Sequence, residues 1–321
     1  MALLLPTGAE AFARAAEAVR AGFMEASKKS AARALPIRLY PVTEDPQNVI
    51  AAYGQALAAG AQLVVGPLTR SGVSALAAAP NLITVPTLAL NVPERNVGNA
   101  SMLYMLSLHI EAEARQVAQL ALSEGHRKAF TMSEPTPLAK RMRDAFVQAF
   151  ERGGGHHIAE YSYTTDAAAL ERIRQATALG VADMVFFAID AQRLPAVRTY
   201  FSPLTGYGTS QLNPGSQASL NAADVPDVRF VDMPWMVQPD HPAVMIYGRA
   251  GSRESADLER LYALGIDAFR VAEELREGGS DVEIDGVTGR LKLAADRQFQ
   301  RSLLVTLIDG GRLTVLGESR P

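Results

Sequence analysis

The residues of this chain best suited to recognition chemistry are Thr7, Thr69, Arg70 and Asn91, followed by Ser133, Asp190, Tyr207 and Trp235. Hydroxyls, an amide, one cation, one anion and two large aromatics suit non-covalent capture of a small polar molecule. Arg70 offers a planar fork that matches a carboxylate, although an arginine in the first turn of a helix is more often simply solvated. Trp235, the only tryptophan, is either a recognition surface or packing; packing is favoured, since tryptophan is highly buried on average.

A catalytic constellation is missing. The sequence has no G-x-S-x-G elbow and no Walker A pattern, and Gly206-Tyr207-Gly208-Thr209-Ser210-Gln211 lacks the third glycine of a dinucleotide fingerprint. His156 and His157 are consecutive in a strand and so point to opposite faces, which argues against a shared metal. Gly153, Gly154 and Gly155 stand between a helix and a strand, as a C-cap and turn do. Carboxylates are scattered over amphipathic helices, where a solvated face is the default. The expectation is a non-enzymatic protein without cofactor or metal.

Composition narrows the class further. The 31 basic and 34 acidic side chains give a net charge of -3, which lacks the basic footprint of a nucleic-acid binder. No cysteine is present, so disulfides and thiolate chemistry are excluded. The opening MALLLPTG has too short an apolar run for a signal peptide or a membrane span, and reads as a first strand. Met1 directly before that strand suggests that upstream sequence belongs to a longer precursor. At 321 residues with 48% hydrophobic content, two cores are expected.

The elements that must position these residues follow a βα rhythm. QLVVGPLTRSGVSALAAAPNLITVPTLALNVP, from Gln62 to Pro93, is a complete βαβ unit. Its strand Leu63 to Val65 suits burial on both faces, Thr69 caps the next helix, and Ile83 to Leu90 returns as a strand broken at Pro86. Loops at the carboxyl ends of parallel strands line the ligand crevice of such sheets, which singles out Gly66 to Ser71 and Ala89 to Pro93. Strands at Ala2 to Leu5 and Ile37 to Tyr40, with helices Ala9 to Ser30 and Asn48 to Ala59, complete a first doubly wound lobe. From Asn91 to Leu106 the period fades, and then the rhythm restarts. Strands at Ala129 to Met132, Ile158 to Tyr163, Met184 to Ile189 and Val228 to Met233 alternate with helices, including Ala191 to Tyr200. Ser202 to Gln217 is a loop carrying a short strand. Helices His241 to Gly248 and Ser252 to Glu277 precede an antiparallel finish with a hairpin turn at Asp309-Gly310-Gly311.

This order of elements, with QLVVGPLTR, TVPTLALN, LYALGIDAFRVAEEL and the VTGRLKL and IDGGRL tail, resembles the type I periplasmic binding protein fold. The resemblance implies two Rossmann-like lobes joined by three crossings, residues 1–107 with 240–283 and residues 108–239 with 284–321. The crossings are expected around Leu106 to Ile110, Asp232 to Asp240 and Glu283 to Gly286. Amino-acid receptors of that fold hold the α-ammonium with an acid of the second lobe. The Tyr207 to Asn213 loop, YGTSQLN, has none. A free amino acid is therefore the less favoured ligand unless Asp190 supplies the charge.

More narrowly, VVGPLTRSGVSAL, LALNVPE and DMPWMVQPD resemble the LppC/LpoA lipoproteins. That resemblance implies a domain that activates a class A penicillin-binding protein in peptidoglycan synthesis. It also implies the periplasm, with an outer-membrane tether through a lipid anchor outside this chain. Enterobacterial members carry a lipid-modified cysteine and an N-terminal helical-repeat domain, neither of which is in this sequence. The alternative is a solute receptor that delivers an amino acid or similar small polar ligand to an ABC importer.

Overall fold

The computed structural model describes residues 1–321 except 31–34, 96–100, 214, 216–226, 249–254, 280, 310–311 and 319–321. Two compact units emerge, Met1–His109 with Pro239–Arg301 and Ile110–Gln238 with Ser302–Pro321.

The first unit opens with β1 (Ala2–Leu5), a single 3-10 turn at Glu10–Phe12, α1 (Ala13–Lys29), β2 (Arg38–Pro41) and α2 (Pro46–Ala58). The next elements are β3 (Val64–Val65), α3 (Arg70–Ala77), β4 (Thr87–Ala89) and β5 (Leu103–Met105). All five strands form one parallel sheet in the order β2-β1-β3-β4-β5. Strand β5 falls where the sequence period fades; three residues carry too little pattern to be recognised. Helix α2 starts two residues before the expected Asn48: Asp45 caps it through the Gln47 N–H at 3.0 Å, with Pro46 at the first helical position.

The second unit repeats that plan. It runs α4 (Ile110–Ser123), β6 (Lys128–Ser133), α5 (Pro137–Arg152), β7 (His156–Ser162), α6 (Ala167–Ala178) and β8 (Met184–Ala188). The expected helix from Ala191 to Tyr200 is broken into a 3-10 turn, α7 (Leu194–Val197) and a second 3-10 turn, because Pro195 has no N–H to continue a long helix. Then come β9 (Thr205–Gly208), β10 (Val228–Asp232) and α8 (Pro234–Val237). Parallel strands β7-β6-β8-β9-β10 reproduce the strand order of the first sheet. Its main core is aromatic, with Phe130, Phe187, Phe201 and Phe230 buried beside Val185 and Ile189.

Back in the first unit, α9 (Pro242–Met245) and α10 (Ala256–Arg276) precede β11 (Glu283–Gly286), β12 (Gly289–Leu293) and β13 (Phe299–Ser302). Helices α1 and α10 approach so closely that a Cβ on Gly22 would lie 1.9 Å from the Tyr262 carbonyl oxygen, and one on Gly265 would lie 2.1 Å from that of Val19. Finally β14 (Leu304–Asp309) and β15 (Arg312–Glu318) join the second unit, β14 running antiparallel to β10 and β15 antiparallel to β14. Gly310 and Gly311 of the expected turn, and the expected helix start at Ser252, lie outside the described residues.

Residues 284–301, which the sequence assigned to the second lobe, fall in the first unit, and the third crossing lies at Arg301 and Ser302. The reason is a buried anchor on α10. Asp267, fully buried, accepts from the Val287 N–H at 3.1 Å, the Thr288 N–H at 2.7 Å and the Thr288 hydroxyl at 2.6 Å, and pairs with Arg270 at 3.2 Å. That anchor holds the β11–β12 turn on α10, in the first unit.

Candidate functional site

In a sheet of order 2-1-3-4-5 the strand order reverses between the first and third strands, and ligands gather beyond their carboxyl ends. Each unit therefore has its own candidate position, after β1 and β3 in the first, and after β6 and β8 in the second.

In the first unit the two loops singled out by sequence do come together. The Leu90 N–H donates to the Pro67 carbonyl at 2.9 Å, the Asn91 amide to the Leu68 carbonyl at 2.9 Å, and Arg70 to the Pro93 carbonyl at 3.3 Å. Ser74 adds a stitch, its hydroxyl donating to the Arg70 carbonyl at 2.9 Å and accepting from the Glu94 N–H at 2.9 Å. Thr69 is buried and caps α3, accepting from the Gly72 N–H at 3.2 Å. Gly66 permits the tight exit from β3: its φ is 104° and a Cβ there would meet the Leu4 carbonyl oxygen at 2.0 Å. Thr7 lies just after β1, half-buried, its N–H on the Leu5 carbonyl at 2.8 Å. Thr69, Arg70 and Asn91 thus hydrogen-bond the loops' own backbone. Of the residues in this brace, Ser74 was not anticipated, and its position one turn into the capped helix was the available signal.

In the second unit Ser133 and Asp190 meet at the ends of β6 and β8, where Ser133 pairs with Ala188. Ser133 is buried, and Asp190 is exposed and caps the turn after β8 through the Gln192 N–H at 2.8 Å. Two neighbours escaped the sequence reading. Glu134 accepts from the Asp190 N–H at 2.8 Å and lies 3.3 Å from Arg193, whose guanidinium stands 4.9 Å above the Tyr163 ring. Glu134 directly follows the end of β6 and Arg193 closes the turn after β8, the one signal that distinguishes them from other surface charges.

Tyr207 is not at this end of the sheet. It is fully buried, and its hydroxyl donates to Glu124, in the turn that precedes β6. Its side chain therefore reaches the amino-terminal edge, where Arg229 also lies 3.6 Å from Glu124. Burial, and then the hydrogen bond to the negative Glu124, push the Tyr207 phenol far above its ordinary range. The placement follows from Tyr207 lying within β9 rather than in the loop beyond its carboxyl end. Trp235 is buried too, on α8, as the packing argument expects.

The loop YGTSQLN contains no acid, yet carboxylates reach it from elsewhere. Glu113 of α4 accepts from the Ser210 N–H at 3.1 Å, and Asp232 of β10 accepts from the Asn213 amide at 2.8 Å and the Met233 N–H at 2.8 Å. Both acids are buried. Sequence distance hid them: Glu113 and Ser210 are 97 positions apart. Among the described residues no group of three or more His, Asp or Glu side chains is placed to hold a metal ion, and no helix is long and apolar enough to cross a membrane. His157 instead meets the Thr131 hydroxyl at 3.0 Å.

Comparison with known proteins adds the family. The model described as "LppC putative lipoprotein" matches residues 1–183 and 174–306. The chain belongs to the LppC family. Among curated LppC-like relatives, penicillin-binding protein activator LpoA of Photobacterium profundum is 24% identical over 94% of this chain and 54% of its own length. LpoA of Pectobacterium parmentieri is 25% identical over 87% of this chain and 48% of its own. This LppC chain therefore spans about half the length of the curated relatives it matches. The solved C-domain of Haemophilus influenzae LpoA, described as a regulator of PBP1A, superposes with a TM-score of 0.82 at 20% identity, covering 98% of this chain and 99% of that one. A Chromobacterium violaceum protein described as a "putative branched-chain amino acid ABC transporter" superposes with a TM-score of 0.80 at 36% identity, covering 95% and 98%. The fold is the two-lobed periplasmic-binding-protein type.

Proposed function

We propose that this chain is the periplasmic-binding-protein-like domain of an outer-membrane lipoprotein that activates a class A penicillin-binding protein in peptidoglycan synthesis. The observation that carries the reading is the LppC match along nearly the whole chain, joined by relatives named penicillin-binding protein activators over 94% and 87% of it. The site geometry is in keeping with it: Thr69, Arg70 and Asn91 brace their own loops. Such a protein needs no chemistry of its own. It activates by binding the active conformation of the synthase more tightly than the inactive one. A lipid anchor outside this sequence would hold it at the outer membrane, facing the periplasm.

The test is glycan polymerisation by a purified class A penicillin-binding protein, with and without the chain, together with a binding titration. Saturable binding and a faster rate support the reading. No binding and no change in rate sink it.

A second reading, a receptor for an amino acid or similar small polar ligand, is favoured by the 36% identity to the Chromobacterium violaceum protein. Under that reading each unit offers its own candidates: Thr7 in the first, beside the loops shaped by Thr69, Arg70 and Asn91, and Ser133 and Asp190 in the second. A thermal-shift screen against amino acids separates the two, because a ligand of the folded state raises its melting temperature.

A further inference from the structure

Three neighbouring strands of the second unit, β7, β6 and β8, end side by side, and the residues just beyond them converge. Tyr163 follows β7, Glu134 follows β6, and Asp190 to Arg193 form the turn after β8. Glu134 is the sheltered acid of this group. Its side chain keeps only 11% of its surface in water, whereas Asp190 is exposed and commits one oxygen to the Gln192 N–H at 2.8 Å. A carboxylate so far out of water needs partners. One Glu134 oxygen has them, the Asp190 N–H at 2.8 Å and the Arg193 Nε at 3.3 Å. The other has no hydrogen-bond partner among the described residues.

Arg193 holds its place loosely. The strong form of such a pair is a bidentate fork, two N–H groups on two oxygens. Here the pair closes on a single oxygen through Nε, and the arginine side chain is 45% exposed. An exposed pair of that kind contributes little to stability. What the arrangement does contain is the chemistry by which proteins hold organic cations, a largely desolvated carboxylate beside the face of an aromatic ring. The Arg193 guanidinium lies 4.9 Å from the centre of the Tyr163 ring, and Tyr163 is fixed by packing on the core of the second unit. Local charge points the same way, since Glu134 and Asp190 outnumber Arg193.

We propose that Glu134 and Tyr163 form a binding site for a small organic cation, an alkylguanidinium or alkylammonium, and that Arg193 fills it as a tethered stand-in until such a ligand displaces it. Arg193 hangs from a short turn with nearly half of its side chain already in water, so its departure unfolds no element. This deepens the receptor reading and rests on it for a ligand that is a small molecule. Glu134 then supplies the negative charge that the Tyr207 to Asn213 loop lacks.

The experiment is a titration of the full chain with ethylguanidinium and, separately, ethylammonium at constant ionic strength, followed by NMR at the Asp190 amide, whose N–H donates to Glu134. Arg193→Ala gives a saturable shift with at least one of the two cations. The unmodified chain responds about tenfold more weakly, because a tethered competitor acts at a high effective concentration. Adding Glu134→Gln to Arg193→Ala weakens binding about tenfold by removing the charge, while its amide oxygen still accepts from the Asp190 N–H. An Arg193→Ala chain that binds no better than the unmodified one, or binding that Glu134→Gln leaves unchanged, overturns the inference. Should Arg193→Ala fail to fold, Arg193→Met, which keeps the apolar stem, carries the same comparison. The two ideas fail separately. An amino acid that raises the melting temperature of the unmodified chain, with no cation bound by Arg193→Ala, keeps the receptor reading and refutes this site; the reverse result keeps the site and refutes the receptor.

Discussion

Replacing Asp267 should cost more stability than replacing any of the exposed acids, and the structure says why. Its two oxygens serve the Val287 N–H, the Thr288 N–H, the Thr288 hydroxyl and the Arg270 guanidinium, at 3.1, 2.7, 2.6 and 3.2 Å. In Asp267→Asn one oxygen becomes an NH2 group. Whichever way the amide turns, a backbone N–H then faces another donor, and Arg270 loses its counter-charge. Charge-assisted bonds contribute roughly 1.5 to 3 kcal/mol each, and an orphaned buried donor costs a comparable amount, so a loss of about 3 kcal/mol is expected. Asp267→Ala removes all four contacts and leaves a void, for about 5 kcal/mol. Guanidinium unfolding of the variants measures the loss. Hydrogen exchange at Val287 and Thr288 locates it, since those amides should lose protection before the second unit does. A loss below about 1 kcal/mol for Asp267→Ala would refute the claim that this carboxylate fixes the β11–β12 turn.

Three further outcomes follow from single sites. Gly265→Ala, which at an ordinary helix position gains about 1 kcal/mol, should instead destabilise by about 2 kcal/mol, because its Cβ would lie 2.1 Å from the Val19 carbonyl oxygen. A thermal melt decides the sign. Asn91→Ala should lower stability by about 1 to 2 kcal/mol through the orphaned Leu68 carbonyl, and hydrogen exchange of the Val92 amide, whose acceptor is also lost, should quicken. Tyr262 is pushed up to about 12 by burial and then by the negative charge of Glu25. Its unfolded phenol titrates near 10. The stability it contributes is therefore fully present below about pH 10 and is lost as the pH rises toward about 12. Denaturation midpoints across that window should fall, and less steeply for Tyr262→Phe.

Much of the architecture was legible because it is local. Thr69 before Arg70 and the apolar run Met184–Ala188 each announce an element through a few neighbouring residues. The two loops of the first unit were legible for the same reason, since any βαβ unit brings the carboxyl ends of its strands together. Tyr207 was placed at the wrong end of its sheet, because the sequence does not mark where β9 ends and the partner Glu124 lies 83 positions away. Glu113 and Asp232 were missed as partners of the Tyr207 to Asn213 loop, since the bonds that join them span 97 and 19 positions.

By itself the sequence determined the βα order, the helix caps, the absence of thiol chemistry and the likeness to the LppC family. Period, capping residues and turn glycines are properties of short windows, and a window can be read without its surroundings. Only the tertiary structure decided where the tail belongs. A strand such as β12 or β14 declares that it will pair, but not with what. Asp267 draws the β11–β12 turn into the first unit, while β10 takes β14 into the second. Those choices are made by long-range bonds whose two halves carry no mark of each other in the sequence.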